Sequence, residues 1–234
     1  MSWPLRADPE TLEEVFLETD QARHGALVLR LGPGAELEMT GPAGLAPARV
    51  STVGGQGGRP RLGVIRCGPW RRVATLPGPR LALALISARR FDWAVEKAAE
   101  LGASTLYPLL TERGKSGGAQ PGAVREGRWP RLAEEARKQC GRPDRLEIGP
   151  ALGFEELLAL PGPGFFLSPA GGSQGPAVPD PPPLLAVGPE GGFSPGEEEA
   201  LLKAGFTAWR LGPALLRSET AALAALAVLL GRRT

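Results

Sequence analysis

The sequence predicts an α/β protein in two parts, with a β-rich domain over residues 1–70 and a second domain over residues 71–234. Two observations support this division. In the first part, short apolar segments are separated by turns rich in Gly and Pro, whereas in the second part strand-like and helix-like segments alternate. At 234 residues the chain is long enough for two small domains, each with a buried core.

The first domain is predicted to contain four short strands, at Ala26–Leu31, Ala35–Thr40, Arg49–Val53 and Arg61–Arg66. Turns rich in Gly and Pro separate these segments, as at Gly32–Gly34. Several short strands at such close spacing are typical of a small barrel.

The second domain is predicted to contain a parallel sheet covered by helices on both faces, because its strands and helices alternate. The predicted strands are Leu81–Ile86, Thr105–Leu110, Phe165–Leu167, Leu184–Val187 and Ala208–Leu211. The predicted helices are Trp93–Leu101, Trp129–Cys140, Phe154–Leu160, Pro195–Ala204 and a last helix from Glu219. Ser194 and Glu197 form a capping box with Pro195 at the first helical position, which defines that helix start.

Charge is distributed unevenly along the chain, although the formal net charge is only +2. From Met39 to Phe91 there are many arginines but no Asp or Glu. A block of one sign is a candidate footprint for nucleic acid, and a solvated face in an arginine-rich protein explains it equally well.

The cysteines and the apolar segments predict a cytoplasmic protein without a metal site or a membrane anchor. Cys67 and Cys140 lie far apart and, with a single histidine, cannot form a zinc site. The first residues lack the apolar core of a signal peptide. The apolar segment Ala221–Leu230 is too short to span a bilayer.

Two segments near the carboxyl end each combine an apolar strand, a glycine–proline loop and a helix start. They are LLAVGPEGGFS from Leu184 and WRLGPALLRSETAALAAL from Trp209. Glycines let the backbone approach a ligand closely, and such loops in α/β sheets lie where ligands bind. Neither segment matches a phosphate-binding loop, and Glu190 would repel a phosphate. A neutral or cationic ligand fits better, such as S-adenosylmethionine with its sulfonium cation.

These two segments resemble the signature of the RsmE family, the ribosomal RNA uridine-N3 methyltransferases of the SPOUT superfamily. The motifs are GPEGGFSPGEEEAL at 188–201 and LGPALLRSETAALAAL at 211–226, and the similarity continues through His24–Met39, Val95–Arg113 and Ala133–Arg142. The resemblance implies a SPOUT-type trefoil-knotted parallel sheet and an N-terminal small β-barrel that is PUA-like. It also implies a homodimer that methylates N3 of a uridine in 16S (small-subunit) ribosomal RNA.

The resemblance further implies that three loops bind S-adenosylmethionine. Their residues here are Leu167, Ser168, Pro169, Val187, Gly188, Pro189, Glu190, Gly191, Gly192, Leu211, Gly212, Pro213, Leu215, Leu216 and Ser218. Adenine needs an apolar slot with backbone groups along its edge, which Leu211, Leu215 and Leu216 would supply. The alternative for any single loop is a tight strand-to-helix turn without a ligand.

Arg217 and Glu219 are the candidate catalytic residues. Methylation at N3 requires loss of the N3 proton, which leaves negative charge shared with O2 and O4 of the base. A guanidinium aimed at those oxygens would stabilise that charge, which is the role expected for Arg217. Glu219 or Glu190 would accept the proton directly or through water, although Glu190 could equally hold its own loop together. Ser218 is also a suitable N-cap for the last helix.

The candidate RNA-binding residues lie in the arginine block of the first domain: Arg59, Arg61, Arg66, Arg71 and Arg72. They are expected to contact phosphates while the target base leaves its stack for the pocket. His24 lies in the same domain, where a structural role is at least as well founded. Two other functions stay open, namely 2′-O-ribose methylation of RNA and a non-catalytic role in RNA binding or ribosome assembly.

Overall fold

The computed structural model describes residues 2–4, 14–17, 19–41, 44–56, 59–71, 77–114, 127–172 and 181–231. The chain divides into two compact units. The first contains Met1–Thr75 and Lys138–Pro143, and the second contains Leu76–Arg137 and Asp144–Thr234.

The first unit is built on a mixed sheet, which has five strands among the described residues. They are β1 (Ser2–Pro4), β2 (Val15–Phe16), β3 (Glu36–Gly41), β4 (Gly44–Gln56) and β5 (Arg59–Arg66). Their order across the sheet is β1-β3-β4-β5-β2. The β1–β3 pair is parallel, and the β3–β4, β4–β5 and β5–β2 pairs are antiparallel.

Alternation along the strands produces the core of this sheet. On β5, Leu62 and Val64 point to the buried face, whereas Arg61 points to the opposite face and is exposed. Ala48 and Val50 of β4 join the same apolar cluster. Glu14, just before β2, accepts hydrogen bonds from Ser51 Oγ (2.5 Å) and Thr52 Oγ1 (2.6 Å) of β4. These bonds, Ser51 first, hold the pKa of the Glu14 carboxyl below its ordinary value.

The predicted strand at Ala26–Leu31 is wrong. A short helix, α1 (Thr19–Arg23), continues into a π-helical turn at His24–Val28. The amide of Leu29 donates to the carbonyl of His24 at 3.0 Å, so the backbone bonds are satisfied locally rather than across a sheet. Leu27 and Val28 are 58% and 65% exposed. The apolar run was therefore read as a buried strand although its side chains are not buried.

The second unit begins with β6 (Arg80–Ala84), α2 (Ala88–Leu101), β7 (Thr105–Leu109), α3 (Arg128–Cys140) and β8 (Glu147–Ile148). It continues with α4 (Phe154–Leu158), β9 (Gly164–Gly172), β10 (Leu184–Val187), α5 (Pro195–Lys203), β11 (Thr207–Trp209) and α6 (Ser218–Gly231). The order of the described strands is β11-β9-β10-β6-β7-β8, and each neighbouring pair is parallel. The predicted parallel α/β sheet is therefore confirmed.

Several element boundaries differ from the prediction. The helix α2 begins at Ala88, five residues before the predicted start at Trp93. Ser87 occupies its N-cap position. The strand β11 ends at Trp209, so Leu211 belongs to the following loop. The two-residue strand β8 was too short to be predicted from periodicity.

Helices cover both faces of this sheet, and the strand β6 shows how. Its Leu81 and Leu83 belong to an apolar cluster with residues of α2, α3 and α6. Ala82, which points the other way, belongs to a second cluster with residues of α4 and α5. This two-sided burial explains why the strand sequences are apolar throughout rather than alternating.

In the described part of the chain, no helix is both long and apolar enough to cross a membrane. Among the same residues, no group of three or more His, Cys, Asp or Glu side chains is placed to hold a metal ion.

Candidate functional site

A pocket of about 240 Å³ is formed by residues 167–169 of β9 and by the loops that follow β10 and β11. The predicted loop at 167–169 is strand instead, because β9 continues to Gly172. The carboxyl ends of parallel strands share one edge of a sheet, which brings together loops that are distant in sequence. The pocket is lined by Leu167, Ser168, Pro169, Val187, Gly188, Pro189, Glu190, Gly192, Trp209, Arg210, Leu211, Gly212, Pro213, Ala214, Leu215, Leu216, Ser218 and Ala221.

The structure brings together the residues that the sequence assigned to a cofactor. Every one of them lines this pocket except Gly191, which lies between two lining residues. Trp209, Arg210, Ala214 and Ala221 also line it and were not predicted. The sequence signal available for Trp209 was its place in the predicted strand Ala208–Leu211, directly before the glycine–proline loop.

The loop after β10 is folded tightly. The amide of Gly192 donates to the carbonyl of Pro189 at 2.8 Å, and Gly192 has a φ of 67°, which favours glycine. A Cβ at Gly188 would stand 3.0 Å from the backbone nitrogen of Phe193, so a side chain there would crowd the turn. Arg113 Nη1 donates to the carbonyls of Gly191 and Phe193 at 3.0 and 3.1 Å, which anchors the loop from outside.

The helix start that follows this loop is capped as predicted. The amide of Glu197 donates to Ser194 Oγ at 3.3 Å, and the amide of Ser194 donates to Glu197 Oε2 at 2.8 Å. The same carboxylate accepts a second bond, at Oε1, from the amide of Glu112 at 2.8 Å. Glu197 therefore joins the start of α5 to the loop that follows β7.

The loop between β11 and α6 provides an apolar wall. Leu211 is half-buried, whereas Leu215 is 86% exposed even though it lines the pocket. At the base of this loop, the amide of Arg210 donates to the carbonyl of Gly172 at 2.9 Å. From β9, the buried Ser168 contributes a hydroxyl that accepts a bond from the amide of Ala170 at 3.3 Å.

Arg217 is exposed at the start of α6 and does not line the pocket. Its carbonyl accepts the amide of Ala221 at 2.8 Å, so Arg217 precedes the helix and Ser218 is the first helical residue. The N-cap position is therefore one residue earlier than predicted. Within the described ranges, no hydrogen bond or ion pair holds the Arg217 side chain, which leaves its guanidinium available for an external anion.

Glu219 is buried, with 7% of its side chain exposed. Its Oε1 lies 3.6 Å from Arg90 Nε, and its Oε2 has no hydrogen-bond partner among the described residues. Arg90 also donates from Nη1 to Glu190 Oε1 at 2.8 Å. One guanidinium thus lies between the two carboxylates that were candidates for accepting a proton.

Sequence reasoning missed the role of Arg90. Its partners are 100 or more residues away, so no local motif connects them. The sequence offered no signal for it, because the predicted helix began at Trp93 and left Arg90 outside.

The predicted RNA-binding arginines have different surroundings. Arg61 is exposed and its guanidinium lies 3.8 Å from the centre of the Phe16 ring. Arg66 donates to the carbonyl of Gly68 at 2.7 Å and lies over Trp70. Arg71 pairs with Glu38 at 2.6 Å.

Two further positions complete this set. Arg59 is the first residue of β5, and Arg72 lies outside the described residues. Because Arg61 and Arg66 are five residues apart on one strand, they point to opposite faces of it. The described arginines therefore do not form one continuous row along β5.

Comparison with known proteins identifies the family. A family model described as an RNA methyltransferase domain matches residues 77–230. The ribosomal RNA small subunit methyltransferase E of Synechocystis sp. is 31% identical, over 97% of this chain and 77% of that protein. The chain belongs to the ribosomal RNA small subunit methyltransferase E family. The RsmE resemblance that the sequence motifs indicated is confirmed.

Two more members of the RsmE family extend the comparison. The protein of Mesomycoplasma hyopneumoniae is 29% identical, and the match spans 61% of this chain and 65% of that relative. A crystal structure of the protein from Neisseria gonorrhoeae, bound to S-adenosyl methionine, is 27% identical with a TM-score of 0.78. That likeness covers 98% of this chain and 96% of the Neisseria chain.

Proposed function

We propose that this protein transfers a methyl group from S-adenosylmethionine to N3 of a uridine in 16S ribosomal RNA of the small subunit. The observation that carries the proposal is the convergence of residues 167–169 of β9 with the loops after β10 and β11 on one pocket. Membership of the RsmE family, with a cofactor-bound relative of similar fold, supports the same reaction.

The residues of the pocket fit this cofactor. Gly192 and Gly212 line the pocket, and no protein atom lies within 4 Å of where a Cβ would stand, so both positions leave open space. Leu211 and Leu216 offer apolar contact for an adenine ring, with backbone groups of the same loop at its edge. Glu190 supplies negative charge at the pocket, which suits a sulfonium cation and disfavours a phosphate.

The bound cofactor would supply a methyl group on an electron-poor sulfur. The protein's part is to remove the N3 proton and stabilise the resulting uridine anion. We assign proton acceptance to Glu219, because its Oε2 is buried without a partner in the described ranges. Glu190 is the second candidate, since its carboxylate is about one-third exposed.

Arg217 is assigned to the anion itself. Its exposed guanidinium would donate to O2 or O4 of the base as charge develops there. As N3 forms its bond to the methyl carbon, the carbon–sulfur bond breaks and the sulfur becomes a neutral thioether. The proton remains on the carboxylate and then passes to water.

We extend the proposal to the rest of the molecule. The mixed sheet of the first unit supports a PUA-like β-barrel that binds RNA, with Arg61 and Arg71 as exposed members of its arginine set. The position of β9 between β10 and β11 supports a SPOUT trefoil knot in the second unit. A homodimer is proposed on the family membership. Cys67 and Cys140, which lie far apart in sequence and lack metal-binding spacing, support a cytoplasmic location.

The test is incubation with labelled S-adenosylmethionine and either small ribosomal subunits or naked 16S RNA, followed by nucleoside analysis. The expected product is N3-methyluridine at one position. A ribose-methylated nucleoside would instead identify a 2′-O-methyltransferase. Calorimetric titration with the cofactor addresses the remaining alternative, because a protein that only binds RNA or assists assembly would show no cofactor binding.

A further inference from the structure

We propose that Arg90 is a positioning residue that fixes the loop after β10 relative to the start of α6 and so maintains the cofactor pocket. This inference rests on the proposed function for the identity of the ligand. Arg90 does not line the pocket, whereas its partner Glu190 does and its partner Glu219 follows the lining residue Ser218. Arg90 would therefore act on the cofactor through residues on two separate walls.

The geometry shows one cation shared by two anions. Arg90 Nη1 is 2.8 Å from Glu190 Oε1, and Arg90 Nε is 3.6 Å from Glu219 Oε1. The planar guanidinium presents several donors in fixed directions, so it can engage both carboxylates at once. A single ammonium group has no such fixed separation between its donors.

Burial makes the contact with Glu219 different from an ordinary surface ion pair. Exposed pairs contribute little because water screens them. The Glu219 side chain is only 7% exposed, so removing its nearby cation would leave a buried charge poorly compensated. The two carboxylates would also repel each other once the guanidinium between them is gone.

The position of Arg90 in its helix points the same way. It lies in the first turn of α2, where no acidic residue is present to offset the positive end of the helix dipole. Arg89 lies in the same turn, so the ion pairs of Arg90, and not the turn alone, distinguish it. Because α2 packs on α6, Arg90 is held by a rigid helix while its partners lie on a loop and a helix start.

The first experiment needs no ligand. Hydrogen exchange would be measured on the cofactor-free protein for wild type, Arg90→Ala, Arg90→Lys and the control Arg89→Ala. In the control, the neighbouring exposed arginine, which has no ion pair among the described residues, is removed from the same helix turn. In Arg90→Ala, we expect amides in residues 188–193 and 217–221 to exchange about fivefold faster than in wild type. In Arg89→Ala, the exchange of these amides should match wild type. Unchanged exchange in those segments would overturn the proposal.

The second experiment measures the cofactor. We expect Arg90→Ala to raise the Kd for S-adenosylmethionine about tenfold, with Arg90→Lys intermediate and Arg89→Ala unchanged. The Kd carries this test rather than the single-turnover rate, because Arg90 also lies beside Glu219, the proposed proton acceptor. Equal affinity for wild type and Arg90→Ala would contradict the proposal, even if the variant melts earlier.

A double-mutant cycle separates positioning from general stability. If Arg90 acts through Glu190, the effects of Arg90→Ala and Glu190→Gln on Kd will be less than additive, and full additivity would refute the coupling. Should Arg90→Ala fail to fold, Arg90→Lys and the same cycle built on it decide the question. A wild-type protein that binds no cofactor would refute the proposed function, while the exchange experiment would still decide the role of Arg90.

Discussion

The backbone amide of Glu112 donates a 2.8 Å hydrogen bond to Oε1 of Glu197, although 85 residues separate the two in sequence. The other oxygen of the same carboxylate accepts the amide of Ser194. One buried side chain thus fixes the loop after β7 and the start of α5, directly behind the glycine loop of the pocket.

Replacing Glu197 by Ala should therefore destabilise the protein by about 2–4 kcal/mol, because two amide donors lose a charged acceptor. The free energy of unfolding would be measured by urea titration. Glu198→Ala is the matched control, since Glu198 is also acidic and in the first turn of α5. Equal losses in the two variants would mean that only the helix dipole, and not these two bonds, is involved.

Gly171 and Gly172 form a matched pair at the end of β9. A Cβ at Gly171 would stand 2.6 Å from the backbone nitrogen of Trp209, whereas a Cβ at Gly172 would meet nothing within 4 Å. We expect Gly171→Ala to cost about 1–3 kcal/mol, because rigid backbone must shift, and Gly172→Ala to be nearly neutral. Thermal unfolding of both variants checks this, and similar melting temperatures would contradict the close approach of β9 and β11.

Arg217→Ala should abolish methyl transfer while the Kd for S-adenosylmethionine stays within about tenfold of wild type. Arg217 is exposed and does not line the pocket, and its proposed role is to stabilise the charge that develops on uridine rather than to bind the cofactor. Single-turnover assays on small subunits and calorimetry give the two values. Unchanged turnover would remove Arg217 from the mechanism.

The two carboxylates are distinguished by isosteric replacement. Glu219→Gln should lower the transfer rate at saturating cofactor about 100-fold, because the free oxygen of Glu219 is the proposed proton acceptor. Glu190→Gln should mainly raise the Kd for the cofactor, since Glu190 lines the pocket and pairs with Arg90. The reverse pattern of rates would assign the proton to Glu190.

The features that sequence reasoning found are those whose causes lie within a few residues. The capping box of Ser194 and Glu197 needs only their spacing, and the glycine loop needs only its own turn. The convergence of the loops followed from a general property of parallel sheets together with the family motifs. These are the reasons why the pocket residues were predicted almost completely.

The features that were missed depend on contacts across the fold. Arg90 is joined to Glu190 over 100 positions, and the strand order β11-β9-β10-β6-β7-β8 is not the order of the sequence. The error at Ala26–Leu31 has a different cause, because an apolar run has the same composition in a strand and in an exposed helical turn. Only the burial of its side chains distinguishes the two.

The third wall of the pocket comes from residues 209–221, which begin at the end of β11, the last described strand in the chain. A polypeptide that stops before Thr207, through interrupted translation or a protease cut, lacks that wall entirely. Such a fragment keeps β6, β9 and β10 but cannot assemble the pocket described above. Incomplete copies of the protein therefore would not compete with intact copies for the methyl donor.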